Sequence, residues 1–258
     1  MESVEQIKAV PNALKNYLKN IPKAALAFSG GVDSSYLLYA AKACGVDVHA
    51  YYVHAQFQPE FELNDAKRLV KELEANMTVL PVDVLANEMV KNNPTDRCYY
   101  CKRLIFKTIL NQAITDGYTV LMDGSNASDD TNDRPGMRAL VELQVLSPLR
   151  EAGMTKQQVR DYSKKAELFT WDKPAYACLA TRIPTGTPIS NELLEKIEKA
   201  ENVLSQMGFT DFRARVLGDI AKLQLPAQQI PIAAQKHTEL VEALAPWFND
   251  VLLDLKPR

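Results

Sequence analysis

Residues 29–35 read Ser29-Gly30-Gly31-Val32-Asp33-Ser34-Ser35, and they follow an apolar run, Ala24 to Phe28, that reads as a buried strand. An apolar helical pattern continues from Tyr36 to Ala43. Two glycines let a backbone turn sharply and approach a ligand closely. The amides of the loop and of the new helix's first turn lack intrahelical partners, and the helix dipole adds positive potential, so such a corner binds anions. Ser29, Ser34 and Ser35 offer hydroxyl donors to the same ligand, and Asp33 is placed to hold Mg²⁺ or to position a phosphate, which is compatible with a helix-capping role. No lysine stands where the Gly-Lys-Ser/Thr nucleotide loop would carry one.

Three further groups could do chemistry. Cys98 and Cys101, three apart at the start of an expected helix, put both sulfurs on one side, and soft sulfur ligands suit zinc or an iron–sulfur cluster. The spacing alone leaves zinc, redox and cluster chemistry open. Cys178 is a third sulfur, and no fourth protein ligand of the kind structural zinc requires is evident. Arg213 and Arg215, two apart on an expected strand, leave one face and form a fork for phosphate; Arg182 reads similarly. Asn126, Asp129 and Asp133 follow an expected strand end and are candidates for nucleotide or Mg²⁺ contacts. Cys44 falls inside an apolar helical pattern and reads as a small core residue.

The elements that must hold these groups alternate. Strands are expected at Val46–Val53, Met77–Val84 and Tyr118–Asp123, with helices near Glu60–Glu74, Tyr99–Thr115, Gly136–Gln144 and Thr155–Glu167, the last opened by a Thr155/Gln158 capping box. Strands alternating with helices argue for an α/β fold, a parallel doubly wound sheet whose ligands sit at the carboxyl ends of the strands. Residues 170–188 are rich in Pro, Gly and Thr and read as a connecting loop. Beyond it the pattern changes to a helix (Asn191–Met207), a strand pair across Gly218-Asp219, a helix over Ala227–Leu244 and a last strand at Val251–Leu255, a smaller C-terminal α+β domain. The expected organisation is therefore 1–169, 170–188 and 189–258.

A chain of 258 residues with 47% hydrophobic residues can bury a sizeable core. Its net charge of −2 gives no global attraction to nucleic acid or to an anionic membrane. No apolar run of about 18 residues is present to span a bilayer. The first twenty residues read as an amphipathic helix without a signal-peptide core, which points to the cytoplasm and to four cysteines that are ligands, catalysts or core residues rather than disulfides.

The loop resembles the SGGxDS pyrophosphate loop (PP-loop) of the ATP pyrophosphatases, which cleave ATP between the α and β phosphates and activate a substrate oxygen as its adenylate. Four later stretches sharpen this: Asp96-Arg97-Cys98-Tyr99-Tyr100-Cys101-Lys102; Asp123-Gly124-Ser125-Asn126 running on through Asp129, Asp130 and Asp133 to Arg134-Pro135-Gly136; Trp171 through Pro184; and Phe212-Arg213-Ala214-Arg215. In this order, over nearly the whole chain, they resemble the LarE family, sulfur transferases of nickel-pincer nucleotide cofactor biosynthesis. The resemblance implies ATP and Mg²⁺ as cosubstrate and metal. It implies a nicotinate-derived mononucleotide substrate, pyridinium-3,5-dicarboxylate mononucleotide, whose adenylylated carboxylate becomes a thiocarboxylate. It implies Arg213 and Arg215 at that substrate's phosphate, Glu201 in the substrate pocket, and a homo-oligomer. In one branch a protein cysteine is the sacrificed sulfur donor, and its position here is Ala177. Cys98, Cys101 and Cys178 fit the other branch, in which three cysteines hold a [4Fe-4S] cluster that carries sulfide from a sulfide donor. A tRNA-thiolating enzyme and an amide-forming enzyme of the same fold are the alternatives; a nucleotide-binding sensor is the non-enzymatic one.

Overall fold

The computed structural model describes residues 9–129 and 135–258. Residues 1–8 of the expected N-terminal helix, and the candidate Asp133, lie outside them. The chain divides into two compact units, one of residues 1–84 and 96–176, the other of residues 85–95 and 177–258.

The first unit is built on four parallel strands, β1 (Lys23–Ala27), β2 (Asp47–His54), β3 (Asn76–Pro81) and β4 (Leu121–Met122), in the order β3-β2-β1-β4. Parallel strands buried on both faces read as continuous apolar runs, and Ala24, Ala25 and Leu26 are all fully buried. Ala24 and Leu26 join Ala50 and Tyr52 in a core shared with helices α1 (Asn12–Leu18), α2 (Val32–Ala43) and α3 (Glu60–Glu72). Alternation sends Ala25 and Tyr51 to the opposite face, which the long helix Arg97–Thr115 covers with Phe106, Ile109 and Ala113. Two strands are shorter than expected. Tyr118 N–H is taken by the carbonyl of Ala113 in the helix ending before it, so β4 begins only at Leu121. Pro81 closes β3, and Val84 enters a 3₁₀ turn whose amide is bound by the Gln56 side chain.

The remaining helices of this unit are Pro135–Glu142, Pro148–Glu151 and Lys156–Lys165. The last is labelled α8 below, α4 to α7 being Glu88–Lys91, Arg97–Thr115, Pro135–Glu142 and Pro148–Glu151. The Thr155/Gln158 capping box that opens α8 is present in full.

The second unit carries a three-stranded sheet, β5 (Arg213–Leu217), β6 (Ile220–Gln224) and β7 (Asp250–Leu253), antiparallel between β5 and β6 and parallel between β6 and β7. Helix α9 (Asn191–Gln206) lines it with Leu194, Ile197, Ala200 and Leu204. The single helix expected over Ala227–Leu244 is instead a 3₁₀ turn and two helices, α10 (Ile230–Gln235) and α11 (His237–Leu244). The Gln229 side chain is bound to Thr210 through three hydrogen bonds, which pins the entry turn, and Pro231 favours a helix start there. Lys236, at φ −92° and ψ 19°, separates the two helices.

Two glycines position the loop between β1 and α2. Gly30 has φ +71°, and a Cβ there would stand 3.2 Å from Ala66 Cβ and 3.3 Å from the Glu62 carbonyl of α3. Gly124, just past β4, lies so close to the first turn of α2 that a Cβ would meet Ser34 N at 2.8 Å. Because that neighbour is backbone, Gly124→Ala forces a shift of the loop or of the β4 exit. Overpacking of this kind costs about 1–3 kcal/mol. Urea unfolding is expected to show a loss of that size, and an unchanged midpoint would contradict the close approach.

Candidate functional sites in the two units

The loop Ser29–Asp33 is held from within. Ser34 Oγ accepts from Ser29 N–H at 3.2 Å, lies 3.1 Å from Ser29 Oγ and donates to the Gly31 carbonyl at 3.2 Å. Ser34 and Ser35 are buried, and Ser35 Oγ has no hydrogen-bond partner. The serines expected as ligand donors therefore divide: Ser29 is exposed, whereas Ser34 and Ser35 face the interior. Gly31 caps α2 with no side-chain acceptor. The first-turn amides are left with the anion-binding character that uncapped helix starts have.

Asp33, in that first turn, is gripped at both oxygens. Its Oδ2 lies 2.5 Å from Lys156 Nζ at the start of α8, and its Oδ1 accepts from Asn126 Nδ2 at 3.3 Å. Burial raises the Asp33 carboxyl above its ordinary range, against the opposing pull of Lys156. Asn126 is itself fixed: its Oδ1 accepts from Ser128 N–H at 2.9 Å, and its own N–H donates to Asp129 Oδ2 at 3.0 Å. Behind it, the buried Asp123 accepts from the hydroxyls of Ser125 and Ser147. The expected partners Asp33, Asn126 and Asp129 thus meet at the carboxyl ends of β1 and β4.

Two cations that sequence reasoning did not single out complete this loop. Lys173 pairs with Asp65 of α3 at 2.7 Å and reaches the Gly30 carbonyl at 3.4 Å. Arg160 of α8 donates to the carbonyls of Trp171 and Lys173, both at 2.7 Å. The segment entering the expected connecting loop is thereby stapled to the phosphate corner.

Cys98 and Cys101 lie in the first turns of α5, Cys98 exposed and Cys101 half-buried. Arg97 Nη2 donates to Cys98 Sγ at 3.5 Å. The turn is anchored by Tyr99, whose hydroxyl donates to the Glu142 carboxylate and whose ring lies 3.7 Å under the Arg138 guanidinium. Cys178 belongs to the second unit. None of the four cysteines forms a disulfide. Among the described residues no group of three or more His, Cys, Asp or Glu is gathered as a metal site.

In the second unit Arg182 is fully buried. It forms a two-pronged pair with Glu201, Nε to Oε1 and Nη2 to Oε2, both at 2.8 Å. Its Nη1 donates to the carbonyls of Ala177 and Cys178 and to Thr181 Oγ1. Glu201 also accepts from Ala214 N–H of β5 at 3.0 Å. Both residues are buried, and Arg182 holds the backbone that carries Cys178 through the carbonyls of Ala177 and Cys178.

Arg213 and Arg215 share a strand face by alternation, but their surroundings differ. Arg213 is buried, with Nη1 on the Phe212 carbonyl at 3.0 Å. Arg215 is exposed, and it donates to Gln224 and, at 3.2 Å, to the Thr181 carbonyl. The turn after Cys178 is therefore held by Arg182 from inside and Arg215 from outside.

Comparison with known proteins gives three kinds of match. The profile of the family described as queuosine biosynthesis protein QueC matches residues 23–101. The chain is 34% identical to an uncharacterised protein of Synechocystis, over 94% of this chain and 92% of that one. It is 32% identical to the pyridinium-3,5-bisthiocarboxylic acid mononucleotide synthase of Lactiplantibacillus plantarum, over 83% and 78%. It is 26% identical to a tRNA-specific 2-thiouridylase of Pseudothermotoga lettingae, over 58% and 54%.

Removing one partner of a buried ion pair strands a charge and costs about 3–5 kcal/mol. Glu201→Gln is expected to destabilise the protein by that amount in chemical denaturation. A change below about 1 kcal/mol would show that Arg182 does not depend on this carboxylate.

Proposed function

The chain belongs to the LarE family of ATP-dependent sulfurtransferases, within the PP-loop superfamily, and on that premise we propose that it converts a carboxylate of pyridinium-3,5-dicarboxylate mononucleotide to a thiocarboxylate. The observation that carries the adenylation half is the start of α2, which has no side-chain cap and holds Asp33 in its first turn, with Asn126 and Lys156 on the two carboxylate oxygens.

The loop amides and the α2 dipole hold and stabilise the departing pyrophosphate. Mg²⁺, bound through Asp33, would screen the phosphate charge. A substrate carboxylate oxygen attacks the α-phosphorus, the bond to the bridging oxygen breaks, and pyrophosphate leaves. A sulfide then attacks the acyl carbon of the adenylate, and AMP departs with the original carboxylate oxygen. Arg213 and Arg215 are assigned to the substrate phosphate. Arg182 and Glu201 act as positioning residues for the Cys178 segment. We further assign homo-oligomeric assembly and a cytoplasmic location; among the described residues, no helix is long and apolar enough to cross a membrane.

The proposed sulfur source rests on the family resemblance, which sets Ala177, a residue without sulfur, where one branch carries its sacrificial cysteine. Cys98, Cys101 and Cys178 are outside disulfides, and three thiolates are the ligand type that iron–sulfur clusters take. Those three residues would hold a [4Fe-4S] cluster, which would supply sulfide on an iron that the protein does not ligate.

Protein purified without oxygen should contain about four irons per chain with matching acid-labile sulfide, and Cys98→Ala should lose them. With ATP, Mg²⁺ and sulfide it should give the thiocarboxylate over many turnovers, seen by mass spectrometry. Protein free of iron after anaerobic reconstitution would remove the cluster and leave Cys178 as the donor. Sulfur entering tRNA in place of the pyridinium carboxylate would overturn the substrate.

A further inference from the structure

Asn93 is unusual on two counts. Its backbone is left-handed, at φ +52°, a conformation that few residues other than glycine and asparagine adopt at low cost. Its polar side chain is only 4% exposed. Nδ2 donates to the carbonyls of Pro184 at 2.9 Å and Thr187 at 3.2 Å. The Asn93 carbonyl accepts from Gly186 N–H, and the Lys91 carbonyl from Ile189 N–H, both at 2.8 Å. Residues 184–189 are thereby clamped to the end of α4 and the stretch after it. Asn93 and Pro184 are 91 residues apart, so the clamp is no local turn. Both of its sides belong to the second unit.

Each side of the clamp leads to sulfur. Only Pro94 and Thr95 separate Asn93 from Asp96, which precedes the helix α5 that carries Cys98 and Cys101 in its first turns. The fixed φ of proline stiffens that step. On the other side, the turn Leu179–Arg182 runs back from Pro184 to Cys178. Thr181 N–H donates to the Cys178 carbonyl at 3.0 Å, and Arg182 Nη1 reaches the same carbonyl at 3.2 Å.

We propose that Asn93 is a positioning residue for the three-cysteine site: it ties the stretch that runs into Cys98 and Cys101 to the segment that carries Cys178. The inference rests on the reading above that the three sulfurs act together. The clamp shortens the flexible chain that must close to bring Cys178 to the other two, and so lowers the entropy lost in closing it.

Thiol crosslinking in the full-length, metal-free protein tests this without any turnover. Cys101→Ser leaves Cys98 and Cys178 as the pair to be bridged by dibromobimane, and peptide mass spectrometry identifies the Cys98–Cys178 product. Asn93→Gly is then added, because glycine keeps the left-handed backbone and removes only the two side-chain hydrogen bonds. Crosslinking is expected to slow about tenfold, the worth of two neutral hydrogen bonds, while alkylation of Cys98 alone by N-ethylmaleimide keeps its rate. Asn93→Asp, of nearly the same shape, replaces Asn93→Gly should that variant fold poorly. It should slow the crosslink at least as much, because a carboxylate would face two carbonyl oxygens. Equal crosslinking with and without Asn93, or a fall matched by an equal fall in the alkylation of Cys98 alone, would overturn the proposal and leave the three-cysteine reading standing. No Cys98–Cys178 product even with Asn93 in place would overturn that reading, and this inference with it.

Discussion

The close approach of the α2 N-terminus to the backbone just past β4 is the constraint on which the first unit depends. Gly124 allows it, because any side chain there would meet Ser34 N. The approach brings Asn126 within reach of Asp33 and places Ser128 under the first amide of α8. Three chain segments far apart in sequence thereby meet at one carboxylate. The positive φ of Gly30 and its contact with Ala66 settle the other side of the loop against α3. Backbone packing thus sets the electrostatics of the site before any charged side chain is considered.

A second constraint works the same way in the other unit. Burying a guanidinium is costly unless nearly all its donors are satisfied. Arg182 meets that condition through Glu201, Thr181 and the carbonyls of Ala177 and Cys178. The expense of burial becomes rigidity in the segment that carries a sulfur. Thr181 O, held by Arg215, extends that rigidity to the surface. Charged residues that a sequence suggests as ligand contacts can also frame the backbone of a neighbouring segment.

What could be read from the sequence was local. The strand, glycine turn and helix start of the phosphate corner are contiguous, so periodicity and glycine placement reveal them together. The Thr155/Gln158 capping box and the β5–β6 pair across Gly218 are likewise encoded within a few residues. Relations across the chain were not legible. Asp33 and Lys156 are 123 residues apart, and nothing in either neighbourhood names the other. Arg182 and Glu201 could each be picked out by charge, yet only the fold shows that they neutralise one another. From the sequence one helix is carried across Lys236, although five polar residues, Gln235 to Glu239, interrupt the apolar pattern there. Residues 85–95 count with the second unit although no composition change marks them.

The central claim is that the corner at Asp33 activates a carboxylate by adenylylation. Exchange of labelled pyrophosphate into ATP tests it most directly, because it reports reversible bond breaking between the α and β phosphates and needs no sulfur. Exchange is expected only when Mg²⁺ and pyridinium-3,5-dicarboxylate mononucleotide are both present, and it should persist in Cys98→Ala. Exchange that is absent with this acceptor, or that proceeds equally without any carboxylate, would contradict the account.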